Sequence, residues 1–136
     1  MSGQPIRILL IEDNPADARY VQEMLRELER TDFQLLHARW LSTGLECLAE
    51  GGFEVALLDL KLPDVEGTKT VESVRAQFPA VPIVVVSGIA DDSARAAAMQ
   101  AGAQEFLVKG QFDAAALQHA IRTAIAAASS AGATPR

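Results

Sequence analysis

The sequence predicts an α/β domain, a parallel β-sheet with helices packed on both faces. Two observations carry this. Short apolar runs recur at Ile6-Arg7-Ile8-Leu9-Leu10-Ile11, Val55-Ala56-Leu57-Leu58, Ile83-Val84-Val85-Val86 and Phe106-Leu107-Val108, and the first three are nearly continuous rather than alternating. Continuous runs are what strands need when both sheet faces are covered. Between them lie stretches with a helical apolar period, so strand and helix alternate five times, the mark of a doubly wound sheet.

Each element has its own signal. Asn14-Pro15 offers an N-cap and a first-turn proline to a helix carrying Val21, Met24, Leu25 and Leu28. Phe33-Gln34-Leu35-Leu36-His37-Ala38 is weaker and partly alternating, which suits an edge strand. Ser42 can cap a second helix with Leu45 and Leu48, stopped by Gly51-Gly52. Val71, Val74 and Phe78 mark a third helix ended by Pro79, and an alanine-rich fourth runs from about Asp92 to Ala101 before Gly102. Leu117, Ile121, Ala124 and Ile125 mark a fifth, with Asp113 as its cap. Right-handed crossovers restrict the winding, and the flavodoxin-like (βα)5 arrangement is expected, five parallel strands in the order 2-1-3-4-5. The expected domain covers residues 6–128. In residues 129–136 the pattern is lost, and they read as a fraying helix end, a flexible tail or the start of a linker.

The 136 residues suffice for one domain with a real core, and 49% apolar with 5% aromatic residues is ordinary for a globular α/β protein. A net charge of −6 with scattered Lys and Arg argues against nucleic-acid binding by this domain. No apolar run is long enough to cross a bilayer, and the opening Met1-Ser2-Gly3-Gln4-Pro5 does not read as a signal peptide. Cys47 is the single cysteine, with no companion for a disulfide or a zinc site. These features point to the cytoplasm. His37 and His119 lack partners at metal-ligand spacing and read as partly solvated structural residues.

Open α/β sheets bind ligands beyond the carboxyl ends of their strands. The first strand ends in Glu12-Asp13, the third in Asp59, the fourth in Ser87-Gly88 and the fifth in Lys109-Gly110. Asp59 to Ser87 is 28 residues and Ser87 to Lys109 is 22, each about one βα unit. This spacing gathers the polar ends at one edge of the sheet. Carboxylates crowded there repel each other, by roughly 4 kcal/mol at about 4 Å and an effective dielectric near 20. Mg2+ resolves the conflict best, because it accepts a few carboxylates, keeps its waters and also binds phosphate oxygens. With Lys109 as a positive charge and Ser87 as a hydroxyl donor, the set could stabilise a phosphoryl group moving onto a carboxylate oxygen.

From Ile6 to Ala128 the chain resembles the receiver domain of bacterial response regulators. The matching pieces are Leu10-Ile11-Glu12-Asp13-Asn14, Leu57-Leu58-Asp59-Leu60-Lys61-Leu62-Pro63-Asp64-Val65-Glu66-Gly67, Val84-Val85-Val86-Ser87-Gly88 and Ala101-Gly102-Ala103-Gln104-Glu105-Phe106-Leu107-Val108-Lys109. The resemblance implies that Asp59 accepts a phosphoryl group from a sensor histidine kinase or a histidine phosphotransfer protein. It implies Mg2+ held by Asp13 directly, by Glu12 through water, by Asp59 and by the backbone carbonyl of Lys61. Ser87 would shift toward the phosphoryl group, Phe106 would turn inward with it, and Lys109 would pair with the phosphoryl oxygens. The state would pass through the face made by the fourth helix, fifth strand and fifth helix to a downstream effector or a fused output domain. A homodimer through the same face is compatible with its alanine-rich helices.

Two departures stand out. Family members usually carry proline after the lysine, whereas Gly110-Gln111 follows here, so the loop into the fifth helix is expected to be more flexible. Ile89, two residues after Ser87, cannot position an attacking water, so self-dephosphorylation is expected to be slow. The domain would catalyse no reaction but its own phosphorylation and this slow reversal. A flavin-binding module is disfavoured by the acidic Glu12-Asp13-Asn14-Pro15 where a flavin phosphate would sit. A dehalogenase-type phosphatase is disfavoured because Lys61 stands where it needs a second carboxylate. A docking module of the same fold that takes no phosphate remains the alternative.

Overall fold

The computed structural model describes residues 5–27, 33–65, 67–88 and 91–133, with side chains to Ala128. Leu28 and Ile89, singled out above, lie outside the described residues. Strands β1 (Ile6–Ile11), β2 (Phe33–Ala38), β3 (Val55–Leu58), β4 (Ile83–Ser87) and β5 (Glu105–Val108) alternate with helices α1 (Pro15–Glu27), α2 (Leu41–Glu50), α3 (Lys69–Gln77), α4 (Asp92–Ala101) and α5 (Ala114–Ala133). All strand pairs are parallel, in the order β2-β1-β3-β4-β5. The expected topology is therefore the observed one.

The continuous apolar runs are explained by the two cores. Successive strand residues face opposite sides of a sheet. Ile8 and Leu10, Val55 and Leu57, and Val84 and Val86 pack into one core with residues of α1 and α5, including Val21, Leu25, Leu117 and Ile121. Leu9 and Ile11, Leu58, and Ile83 and Val85 pack into the other, with Leu48, Val71, Val74 and Ala98 from α2, α3 and α4. Burying one such side chain contributes about 1.5–3 kcal/mol, so the buried positions on both faces of these strands favour the same register. The edge strand β2 has the alternating burial that its weaker pattern implies. At Gly44 of α2 a Cβ would collide with the Ile11 side chain, so glycine lets this helix lie close against β1.

Helix starts conform in part. Asn14 Oδ1 accepts from the N–H groups of Ala16 and Asp17 at 2.9 and 3.3 Å, and Asp113 Oδ1 from Ala116 N–H at 2.9 Å. Ser42 does not cap α2: it lies inside the helix, and Trp40 at the cap position makes no side-chain cap bond. The orphan N–H groups of Leu41 and Ser42 instead donate to Asp64 Oδ1 and Oδ2, each at 3.0 Å, from the loop after β3. Burial pushes the Asp64 carboxyl up, but these backbone donors outweigh it and hold the pKa below the usual range. Helix α5 runs on to Ala133, and among the residues whose side chains are described Ala124 is its last buried apolar position.

Candidate functional site

The register of the sheet aligns the strand ends that the sequence brings forward. Ile11 is level with Ala38 and Leu58, and Ser87 with Val108. Ladder bonding continues one residue further. Glu12 N–H donates to the Ala38 carbonyl at 2.9 Å, Asp59 N–H to Ile11 at 3.1 Å and Lys109 N–H to Ser87 at 2.8 Å. The sheet thus fixes the backbones of three charged residues before any side-chain contact is made.

Their side chains meet in an open cleft of about 450 Å³, lined by Glu12, Asp13, Asp59, Lys61, Ser87 and Lys109, together with Asn14, Asp17 and Gly88. Glu12, Asp59 and Ser87 are buried, at 2%, 5% and 1% exposure. Glu12, Asp13 and Asp59 each bring a carboxylate oxygen within 4.8 Å of the others. Crowding of this kind should raise a carboxyl pKa. The Glu12 carboxyl is pushed from 4.5 up to about 7, first by burial and then by the Asp59 charge, against the opposing hydrogen bond from Lys109.

Lys109 neutralises part of this charge. Its Nζ lies 2.9 Å from Glu12 Oε1, 2.8 Å from Asp17 Oδ2 and 3.2 Å from Asp59 Oδ2. Burial disfavours the ammonium, but the hydrogen bonds to Asp17 and Glu12 and the charge of Asp59 outweigh it, and its pKa is raised above the usual lysine range. Backbone donors hold the carboxylates from other sides. Asn14 N–H reaches Glu12 Oε2 at 3.1 Å, and Lys61 N–H reaches Asp59 Oδ1 at 3.3 Å. His37 has a structural part, since its Nε2 donates to the Glu12 carbonyl at 2.6 Å.

Phe106 is not in the cleft. Its ring is buried at 4% exposure in the core beneath α4, with the Arg95 guanidinium 5.9 Å from the ring centre. Any inward turn therefore starts from a ring already inside. Gly110 has φ +82°, and Gln111 N–H donates to the Val108 carbonyl at 2.9 Å to close the turn. Proline, held near φ −65°, could not adopt this backbone.

Asp17 is the site residue that the sequence did not reveal. An acidic residue in a first helical turn is ordinarily explained by the helix dipole. Its position four residues after Asp13, on the turn fixed by Asn14, was the available signal.

A doubly wound sheet in the order 2-1-3-4-5, with an acidic cleft and a lysine at its strand ends, defines a flavodoxin-like protein. The chain belongs to the response regulator receiver domain family, whose model matches residues 8–122. Domains of this family are signalling domains of two-component systems. The chain is 33% identical over 118 residues to the KDP operon transcriptional regulatory protein KdpE of Escherichia coli, covering 87% of this chain and 50% of KdpE. The chain therefore spans about half the length of that relative. The receiver domain of sensor histidine kinase PA1611 from Pseudomonas aeruginosa, solved with magnesium coordinated in its active-site cleft, is 27% identical with a TM-score of 0.77, over 90% of this chain and 99% of that one. A signal receiver domain from Pseudomonas fluorescens shares the fold with a TM-score of 0.82 at 23% identity, over 96% and 93% of the two chains. No helix among the described residues is long and apolar enough to cross a membrane.

Proposed function

We propose that this receiver domain is a switch set by phosphorylation of Asp59. The observation that carries the reading is the state of the Asp59 carboxylate, buried beside two other carboxylates, with one oxygen on the Lys61 N–H and the other on Lys109. In the proposed step an Asp59 oxygen attacks the phosphorus of a phosphohistidine on a sensor histidine kinase or histidine phosphotransfer protein. A P–O bond forms and the P–N bond breaks. The electron pair stays with the imidazole, which takes up a proton, and Asp59 becomes an acyl phosphate. Lys109 offsets the charge arriving on the phosphoryl oxygens, and the Ser87 hydroxyl donates to one of them.

The donor set fits a small hard cation: three carboxylates converge, and burial raises the pKa of one of them, Glu12. Glu12, Asp13, Asp59 and the Lys61 backbone carbonyl would hold Mg2+. When bound, the ion supplies positive charge that quenches the carboxylate repulsion and screens the incoming phosphoryl oxygens. The magnesium in the PA1611 receiver supports this reading. The added dianion would draw Ser87 toward it and bias Phe106 and the α4–β5–α5 face, which a cytoplasmic effector, an attached output domain or a second copy would read. Ile89, with no polar group to orient water, would leave the acyl phosphate long-lived.

The test is transfer from a labelled phosphohistidine donor protein in the presence of magnesium. A label that moves to this chain and is released by hydroxylamine, as an acyl phosphate is, supports the switch. A chain that binds the donor but takes no label is the docking module instead.

A further inference from the structure

Lys109 Nζ is ringed by three carboxylates: it donates to Asp17 at 2.8 Å and to Asp59 at 3.2 Å, and forms an ion pair with Glu12 at 2.9 Å. An ammonium so crowded by carboxylates cannot turn to a further anion without weakening one of these contacts. If Asp59 takes a phosphoryl group, the reading on which this inference rests, its side chain is no longer a carboxylate, and Lys109 can follow the new oxygens only by loosening its hold on Glu12 or on Asp17.

Burial decides which one. The Glu12 side chain is 3% exposed, whereas that of Asp17 is 39% exposed. A buried carboxylate stripped of its cation is costly, while an exposed one is taken over by water. Glu12 also follows directly on β1 and keeps a backbone donor from Asn14. Among the described residues, the Asp17 carboxylate has Lys109 as its one partner.

We infer that Asp17 is a retaining residue: it holds the Lys109 ammonium toward α1 in the unmodified domain and gives it up when an anion arrives on Asp59. The same pair ties α1 to the turn after β5. Between them lies a cavity of about 240 Å³ bounded by Asp17, Tyr20, Val21, Lys109, Gly110 and Phe112. Release of the pair frees that turn, where Gly110 supplies the backbone latitude. Asp17 acts through Lys109 and is a positioning residue, not a catalytic one.

The probe is beryllofluoride with magnesium, a phosphoryl mimic, titrated by calorimetry. Asp17→Asn should bind it about two- to fivefold more tightly than the native chain, the range expected for a half-exposed ion pair. Asp17→Glu, which keeps the charge and the reach, should stay near native. Asp17→Ser replaces the Asn variant if that one does not fold. The gain should vanish in a Lys109→Gln background. A gain that persists there is a general charge effect and overturns the inference. Equal affinity of the native chain and Asp17→Asn also overturns it, while leaving the Asp59 reading intact. No binding by the native chain would remove both.

Discussion

Lys109 and Arg75 stand at opposite ends of the same sheet and are held by opposite means. Lys109, at the carboxyl ends of the strands, is surrounded by carboxylates. Arg75, at the amino ends, has only neutral partners among the described residues. Its Nη1 donates to the carbonyls of Phe78, Pro79 and Val81 at 3.3, 2.7 and 2.8 Å, and its Nη2 to Gly102 at 2.7 Å and to Gln104 Oε1 at 3.3 Å. The planar guanidinium thereby joins the loop entering β4 to the loop entering β5, a geometric task suited to a rigid fork of donors. Burial without an anion lowers its pKa. One end of the sheet uses a cation as a fixed strut, and the other keeps a cation under competition, where it can change partners.

Exchanging the two roles by mutation should separate chemistry from stability. Lys109→Ala should slow phosphoryl uptake on the order of 10²-fold, the usual loss when one donor to a developing anion is removed, in a chain that still folds. Arg75→Ala should lower the unfolding free energy by about 2–3 kcal/mol in urea titrations, because it orphans several carbonyls, with little change in uptake by the folded fraction. If Arg75→Ala slowed uptake as much as Lys109→Ala, the division between the two ends would fail.

Glu12 supplies a pH signature confined to the acidic end. Its carboxyl titrates at about 7 in the fold against an ordinary 4.5. The folded chain therefore keeps a proton that the unfolded chain releases in this window. Without metal, the Glu12 contribution is fully present below about pH 4.5 and is lost as pH rises through about 7, a change of at most about 3 kcal/mol. Melting curves in chelator at about pH 5 and about pH 7.5 should show the decline, and magnesium should flatten it. A smaller effect is expected at Asp64, where Asp64→Ala removes the α2 cap and should cost about 1 kcal/mol in the same titrations.

Asp64 also shows where sequence reading stops. Local caps were legible at Asn14 and Asp113 because acceptor and donor lie within one turn. The α2 cap was not, since its acceptor comes from the loop after β3 and leaves no mark beside Ser42. The two-faced core was legible because continuous apolar runs demand cover on both sides. The strand order 2-1-3-4-5 was one choice among the right-handed windings, which periodicity alone does not fix. The α5 end was legible only as a choice between a fraying helix end and a linker, because Ala126-Ala127-Ala128 carries no apolar stripe, while alanine's helix propensity sustains the helix to Ala133. In the cleft, Glu12, Asp13, Asp59, Lys61, Ser87 and Lys109 converge because each follows or ends a strand in register. Asp17 comes from a helix, and its importance depends on where Lys109 points, which no strand pattern encodes.

The most direct test of the switch is the intact mass of the native chain and of Asp59→Asn after incubation with magnesium and a small-molecule phosphoryl donor. The account predicts one added phosphoryl group on the native chain, none on Asp59→Asn, and none on either when magnesium is chelated. A native chain that stays unmodified with small donors and with phosphorylated kinases, or an equal gain on both proteins, would contradict it.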